Sequence, residues 1–450
     1  MDTKQLRQKI LDLAIRGKLV PQDPNDEPAS VLLERVKAEK ERLIEEGKIK
    51  RSKKSAASSD KPHYPFEIPN NWVWTTLREI SNYGTCINVA VEDIPAESWV
   101  LELEDLEKDT ARLIQRLKKG ERDIKGVRHR FEKGNILYSK LRTYLNKVLV
   151  ADNPGFCTTE IIPFSLFSGI SEFYINLVLR SKYFVDYTIQ CGFGVKMPRL
   201  STSDANSGQI PLPPLNEQKR IVDKVELLLS IADSIEQEKF DLLKSASKLM
   251  NHILELAISG KLVPQDPNDE PAIELLKRVN PNAVVSTDTS HYGQLPSGWC
   301  YTTMNFICQL YDGEKIEDKY LINLDAKYLR GKSKGDTLNK GRFVPEKTTM
   351  ILVDGENSGE IFTAPIDGYQ GSTFKLLEIS EEMNAEYVKM IIRIYQKLLR
   401  DNKVGSAIPH LNKKMFREIL VPVPPIAEQT RIVGHTNELM SKITELTEAL

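Results

Sequence analysis

Residues 215–259 carry the most regular alternation of apolar and polar positions in the chain. Apolar residues recur there at alternating steps of four and three, and Lys239 occupies the one gap. This seam consists of Ile221, Val225, Leu228, Ala232, Ile235, Leu242, Ala246, Leu249, Ile253 and Leu256. Such spacing predicts a long coiled-coil helix, which Pro213-Pro214 precedes and Gly260 ends. The alternative is an amphipathic helix that lies on a globular core.

Both ends of the chain repeat part of this helix. Residues 426–450 match its first half, and residues 1–16 match its second half. Their apolar positions are Ile432, Leu439, Ile443, Leu446 and Leu450, and Leu6, Ile10 and Leu13. Short helices are marginal in isolation, so we expect both segments to pack antiparallel against the central helix. This predicts a nearly circular, pseudo-two-fold arrangement.

The repeated helix belongs to a larger duplication. Residues 17–29 and 260–272 both read GKLVPQDPNDEPA. Residues 213–222 (PPLNEQKRIV) are repeated with few changes at 424–433 (PPIAEQTRIV). Matches are weaker between these motifs, so one ancestral unit has been duplicated and its two middles have diverged. So long a period excludes a solenoid of short repeats.

The duplication divides the chain into helical segments and two globular blocks. Short apolar runs between turn residues, each followed by a helical pattern, predict a mixed α/β (α+β) fold in both blocks. The predicted segments are an N-terminal helical repeat (1–46), a flexible basic linker (47–65), the first block (66–214), the central helix (215–259), a second helical repeat with linker (260–292), the second block (293–425) and the C-terminal helix (426–450).

Composition and missing motifs narrow the function. The chain has 450 residues, of which 40% are hydrophobic and 28% charged, which is typical of a globular protein. No apolar run is long enough for a membrane span and no signal peptide is evident, so we expect a cytoplasmic protein without membrane contact. Gly331-Lys332-Ser333 lacks the earlier glycine of a phosphate loop, and neither metal-binding histidine pairs nor CxxC spacings occur. We therefore expect no catalytic, cofactor or metal site.

Candidate nucleic-acid contacts lie in local clusters, because the net charge is only −1. Residues 108–133 hold ten basic and four acidic side chains, which fits phosphate neutralisation or, alternatively, a solvated face. Other donors stand beside turns, where a rigid loop can present them to base edges. The predicted DNA-binding residues are Lys140, Arg142, Tyr144, Lys147, Lys196, Arg199, His410, Lys413, Lys414 and Arg417.

The two blocks differ at these tips. When the two blocks are aligned by their apolar positions, Lys140 and Arg142 of the first correspond to Asp354 and Glu356 of the second. A shared apolar frame with polar tips of opposite charge favours two different recognition tasks.

This combination of motifs resembles the DNA-specificity subunit of type I restriction–modification systems. The resemblance rests on the two Pro-Pro-x-x-Glu-Gln-x-Arg-Ile-Val motifs, the two Gly-Lys-Leu-Val-Pro-Gln segments and the Pro-x-x-Trp starts of both blocks. It covers essentially the whole chain. The layout departs from the family by a circular shift, since a helical segment precedes the first block.

The resemblance implies an architecture and a set of partners. The blocks would be two pseudo-two-fold-related target-recognition domains, held apart by long antiparallel coiled-coil helices. Each would read half of a split, asymmetric site in double-stranded DNA. Two methyltransferase (M) subunits would bring S-adenosylmethionine and two restriction (R) subunits would use ATP and Mg²⁺, while this chain catalyses nothing. The alternatives are a DNA-modifying enzyme with an unrecognised site, and a two-headed coiled-coil scaffold without DNA specificity.

Overall fold

The computed structural model describes residues 2–47, 49, 64–167, 169–194, 196–285, 295–403 and 410–450. The chain forms two compact units, Met1–Glu238 (unit 1) and Lys239–Leu450 (unit 2). The boundary falls inside the predicted central helix, and each unit therefore contains part of that helix. Most of the predicted basic linker, 47–65, lies outside the described residues.

Unit 1 contains helices at both ends and strands in its middle. Its helices are α1 (Thr3–Ile15), α2 (Ala29–Glu45), α3 (Leu77–Ile80), α4 (Glu172–Arg180), α5 (Lys182–Cys191), α6 (Thr202–Ser207) and the first part of α7 (Leu215–Ile258). Its strands are β1 (Val73–Thr76), β2 (Ile87–Ala90), β3 (Trp99–Leu101), β4 (Leu117–Lys118), β5 (Val127–Phe131), β6 (Ile136–Ser139), β7 (Val148–Val150), β8 (Gly155–Thr158), β9 (Ile161–Phe164) and β10 (Gln209–Leu212).

Unit 2 has the same order of helical ends and a strand-rich middle. Its remaining helices are α8 (Ala272–Val279), α9 (Met304–Ile307), α10 (Ala326–Leu329), α11 (Ala385–Asp401), α12 (Lys413–Glu418) and α13 (Ile426–Glu448). Its strands are β11 (Cys300–Thr303), β12 (Cys308–Tyr311), β13 (Lys315–Leu324), β14 (Thr337–Val344), β15 (Thr349–Leu352), β16 (Ile361–Thr363), β17 (Gly368–Gln370), β18 (Phe374–Ile379) and β19 (Leu420–Val423).

The sheets confirm a mixed α/β fold with a common frame and divergent middles. In both units the first strand pairs antiparallel with the last strand. In unit 1, β1 pairs with β10, which precedes α7, and in unit 2, β11 pairs with β19, which precedes α13. Between them, unit 1 has a five-stranded sheet ordered β2-β5-β8-β3-β4 and a three-stranded sheet ordered β7-β6-β9. Unit 2 has a four-stranded sheet ordered β12-β18-β15-β16 and a small closed barrel of β13, β14 and β17.

The terminal helices pack antiparallel to α7 within their own units, as predicted. In unit 1, Arg7 of α1 contacts Asp233 at 2.5 Å, and Gln22 further along the chain contacts Glu217 near the start of α7. In unit 2 the Nζ of Lys239 donates to the backbone oxygen of Leu450 at 2.7 Å. The gap in the apolar seam is therefore filled by a lysine that satisfies a carbonyl beyond the C-terminus of α13, where a cation is favourable.

The apolar seam differs from the prediction in the middle of the long helix. Ile221 and Val225 are buried in the unit 1 core, and Ile253 and Ala257 are buried in unit 2. Leu242 and Leu249, which the 3.5-residue pattern predicted to be buried, are exposed, and so is Leu446 of α13. The ends of α7 lie on globular cores, where burial is decided by the packed neighbours rather than by a strict heptad.

Candidate nucleic-acid interface

The repeated Glu-Gln motif anchors the long helix to its own unit. In unit 1 the carboxylate of Glu217 accepts hydrogen bonds from Nε1 of Trp72 at 3.0 Å and from Nε2 of Gln22 at 2.6 Å. Gln218 accepts from the backbone N–H of Ser171 and donates to the carbonyl of Pro213. Burial raises the pKa of the Glu217 carboxyl above its usual 4.5.

Unit 2 repeats this network atom for atom. Glu428 accepts from Nε1 of Trp299 at 2.9 Å and from Nε2 of Gln265 at 3.0 Å. Gln429 accepts from the backbone N–H of Asn384 at 3.0 Å and donates to the carbonyl of Pro424 at 3.0 Å. Buried polar groups must find partners, so the identical pairing explains why the motif is repeated so closely.

The thirteen-residue repeat supplies the other half of each anchor. Arg220 of α7 pairs with Asp26 at 2.6 Å, and Arg431 of α13 pairs with Asp269 at 2.5 Å. Both aspartates belong to the repeated GKLVPQDPNDEPA segment, as do Gln22 and Gln265. These strongest repeats therefore connect the helices to the core and are not the surface that distinguishes the two units.

The loops predicted to meet DNA converge in unit 1. A β-bridge joins Leu141 to Arg199, and a second bridge joins Phe193 to Arg199. The backbone N–H of Arg142 donates to the carbonyl of Pro198 at 2.8 Å, and Leu200 donates to Lys140 at 2.9 Å. Residues 140–147 and 193–199, of which Val195 alone lies outside the described part, thus form one loop cluster, here called cluster 1.

The predicted residues of cluster 1 have different surroundings. Lys196 and Tyr144 are exposed. Arg199 makes a bidentate ion pair with Glu160, at 2.9 Å for the closest approach, so a carboxylate already positions its guanidinium. Arg142 has a left-handed backbone (φ 51°) and is half-buried, as is Lys140.

The side chain of Lys147 lies deeper in unit 1 than a side chain that contacts a phosphate from the surface would. Its ammonium donates to the carbonyl of Leu103 at 2.6 Å, and burial lowers its pKa below the ordinary 10.5. Its position connects the end of cluster 1 to the segment that follows β3.

The corresponding loops of unit 2 converge in the same way. A β-bridge joins Asp354 to His410, and the backbone N–H of Leu411 donates to the carbonyl of Val353 at 2.6 Å. The Nδ1 of His410 lies 2.6 Å from the Asp354 carboxylate. Residues 354–356 and 410–417 form cluster 2, which includes the exposed side chains of the other three predicted residues, Lys413, Lys414 and Arg417.

These bridges correct the alignment between the two copies. Leu200 bonds to Lys140 in unit 1 as Leu411 bonds to Val353 in unit 2, so Lys140 corresponds to Val353 rather than to Asp354. The sequence alignment was wrong by one residue because it followed apolar spacing, whereas backbone pairing fixes the register. The loop ends still differ, because Lys140 of unit 1 corresponds to Val353 of unit 2.

The basic segment 108–133 is largely neutralised by ion pairs within unit 1. Arg122 makes a buried bidentate pair with Asp105, with side-chain exposures of 8% and 0%. The other pairs join Arg112 to Glu107, Arg116 to Asp152, Lys118 to Glu97, Arg128 to Glu102 and Arg130 to Glu132. Six of the ten basic side chains of this segment are thus paired within unit 1, which leaves fewer of them to neutralise phosphates.

Sequence reasoning missed three exposed hydrophobic side chains, two of them on cluster 1. Phe193 and Met197 lie on the second loop of cluster 1, and Tyr320 lies on β13 in unit 2. A Gly-Phe-Gly tripeptide followed by Lys-Met-Pro was a usable signal for the first two, since glycines on both sides leave the phenylalanine few neighbours. Tyr320 follows Asp318, which has a left-handed backbone in an irregular part of β13, and no pattern in the sequence marks that irregularity.

Within the described ranges, no group of three or more His, Cys, Asp or Glu side chains is placed to hold a metal ion. None of the helices in those ranges has the length and apolarity needed to span a membrane. The two units share a strand frame and differ in the side chains at their loop ends.

Comparison with known proteins identifies the family. The family described as type I restriction modification DNA specificity domain matches residues 69–245 and 297–450. The EcoAI specificity subunit of Escherichia coli is 28% identical over 98% of this chain and 90% of its own length. The EcoEI specificity subunit, also from E. coli, is 33% identical over 66% of this chain and 60% of its own.

Solved structures agree at the level of the fold. A chain from a study of assembly and conformational transition in a type I restriction–modification system has a TM-score of 0.65 at 16% identity, and covers 86% of this chain and 94% of that one. The HsdS subunit of Thermoanaerobacter tengcongensis has a TM-score of 0.52 at 16% identity, with 86% and 93% covered. The chain belongs to the type I restriction–modification specificity subunits.

Proposed function

We propose that each unit reads one half of a split, asymmetric site in double-stranded DNA, and that the chain positions two M and two R subunits on that site. The observation that carries this proposal is the pair of loop clusters. A backbone bridge joins the two loops of each cluster, Leu141–Arg199 in cluster 1 and Asp354–His410 in cluster 2. The polar groups on these loops differ between the clusters. Side chains that differ on a common rigid frame are what direct readout of two different base sequences requires.

The chemistry is assigned to the partner subunits. S-adenosylmethionine would be bound by the M subunits, and ATP with Mg²⁺ by the R subunits, while this chain contributes no catalytic group. The assembly would act on DNA in the cytoplasm. The sequence lacks a complete phosphate loop and metal-binding histidine pairs, which supports this division of roles.

A methylome tests the proposal directly. The chain is co-expressed with the M subunit of its own system in a host free of DNA methylation, and modified bases are mapped. We expect a split, asymmetric sequence methylated on both strands. An intact complex that modifies no new sequence would overturn the proposal and favour a scaffold without DNA specificity.

Two matched substitutions then assign the half-sites. Arg199→Ala in cluster 1 should relax the sequence requirement in one half-site, and His410→Ala at the corresponding bridge of cluster 2 should relax the other. A mismatched base pair in a specific site costs about 1–3 kcal/mol, so single-base relaxation is measurable. If either variant weakened both half-sites equally, that residue would be a phosphate contact or a folding determinant instead.

A further inference from the structure

The second loop of cluster 1 combines ends that are joined by backbone hydrogen bonds with exposed apolar side chains. Two backbone hydrogen bonds between Phe193 and Arg199, at 3.0 and 2.9 Å, close the segment into a narrow loop. Gly194 has φ +97°, and a Cβ there would lie 3.4 Å from the carbonyl oxygen of Met197 across the loop. The two ends of the loop, at Phe193 and Arg199, are thus held together by backbone bonds.

The apolar side chains at this tip have little cover. Phe193 is 59% exposed and Met197 is 44% exposed, although burying either would be favourable by the usual hydrophobic measure. Tyr144, on the first loop of the same cluster, is also exposed. Exposed apolar side chains concentrated at one place mark an interaction surface more often than isolated ones do.

The surroundings of the tip indicate a polyanionic partner. Lys196 is exposed and directly precedes Met197 in the sequence, and Lys140 and Arg142 belong to the adjoining loop. Cations next to aromatic and thioether side chains suit a surface that neutralises phosphates and meets stacked bases. Phe and Met are among the side chains that proteins insert as wedges between base steps.

We propose that Phe193 and Met197 form a wedge that enters the DNA of the first half-site and unstacks one base step, while Lys196 contacts a flanking phosphate. This inference rests on the proposed function and deepens it. A half-site would then be selected partly by how easily its step unstacks, because pyrimidine–purine steps deform at lower cost than others. Specificity would therefore extend to a step that no hydrogen-bonding side chain reads.

The test uses the full chain in complex with its M subunits and synthetic duplexes containing the mapped site. 2-Aminopurine, which fluoresces when unstacked, is placed in turn at each position of the half-site relaxed by Arg199→Ala, except the position of the methylated base. We expect a fluorescence rise at one step on binding, and its loss in Phe193→Ala. Affinity for the site should fall about tenfold or more, as for other base–aromatic contacts. Met197→Ala should give a smaller loss of both signals.

Ile114→Ala is the matched control, since Ile114 is 64% exposed in unit 1 but lies outside cluster 1. It should behave as the wild type does. A fluorescence rise that survives in Phe193→Ala, or no rise in the wild type, would overturn the wedge while leaving the methylome intact. Phe193→Ala that no longer assembles with the M subunits would also overturn it and make the tip a protein contact. Failure of the wild-type complex to methylate any split site would instead contradict the proposed function itself.

Discussion

Gly17→Ala tests whether backbone geometry explains why the thirteen-residue segment is identical in the two copies. Gly17 has φ +66°, and an added Cβ would lie 2.8 Å from Cδ of Pro69 and 3.3 Å from Cζ2 of Trp72. The left-handed conformation costs an alanine about 1–2 kcal/mol. Displacing packed neighbours adds about 1–3 kcal/mol, and the stiffer unfolded chain returns less than about 1 kcal/mol. We expect a loss of about 2–4 kcal/mol in the free energy of unfolding.

The measurement is urea denaturation of the full chain, with hydrogen exchange to show that the lost protection lies in unit 1. Gly260→Ala is the equivalent change in unit 2, since Gly260 has φ +68° and faces Pro296 and Trp299 in the same way. Gly47→Ala is the control. Gly47 also has a positive φ, of +69°, but no atom lies within 4 Å of the added Cβ. Gly47→Ala should therefore lower the free energy of unfolding only by the cost of the left-handed backbone, about 1 kcal/mol.

Equal losses in Gly17→Ala and Gly47→Ala would refute the packing argument, because the neighbouring proline would then contribute nothing. A loss confined to one of Gly17→Ala and Gly260→Ala would refute the claim that both copies use the repeat alike.

Three further predictions concern buried polar groups and thiols. Because burial raises the pKa of the Glu217 carboxyl above 4.5, its stabilising contribution is complete at low pH. Wild-type stability relative to Glu217→Gln, measured by urea denaturation, should thus fall as the pH rises from 4.5; a flat difference would contradict this. Asp105→Ala should cost about 3–5 kcal/mol, since the buried guanidinium of Arg122 loses its bidentate partner and keeps only the exposed Glu104 at 3.9 Å, whereas Glu97→Ala, in an exposed pair, should change the urea midpoint little. Burial raises the pKa of Cys300 to about 11 and that of Cys308 to about 12. Both should react with a disulfide reagent only after unfolding, and rapid labelling of the native chain would contradict their burial.

The duplicated Glu-Gln-x-Arg motif shows how much could be predicted. Together with the repeated Gly-Lys-Leu-Val-Pro-Gln segments and Pro-x-x-Trp starts, its repetition was enough to recognise the family and the duplication. Its physical role was not accessible, because Glu217 is far in sequence from both Trp72 and Gln22, with which it pairs. Nothing in local periodicity specifies which distant donor will meet a buried carboxylate.

The candidate DNA-binding residues were predicted by type and by proximity to turns. The structure brings Lys140, Arg142 and Tyr144 together with Lys196 and Arg199, because backbone bonds join the two loops that carry them. It also places Lys147 against a backbone carbonyl, and it pairs most of the basic segment 108–133 internally. Charge counts along a sequence cannot distinguish a free cation from a paired one, because the pairing carboxylates come from other segments.

The sequence by itself determined the duplication, the long helix, the mixed α/β class and the family, because each of these is recorded in residue order and local spacing. Only the tertiary structure decided which apolar positions of the helix are buried, how the two copies align at their loop tips and which exposed side chains stand at cluster 1. Leu242, Val353 and Phe193 are the clearest cases. Each depends on what the rest of the chain places beside it, and that is set by long-range packing and backbone pairing rather than by the periodicity of the segment itself.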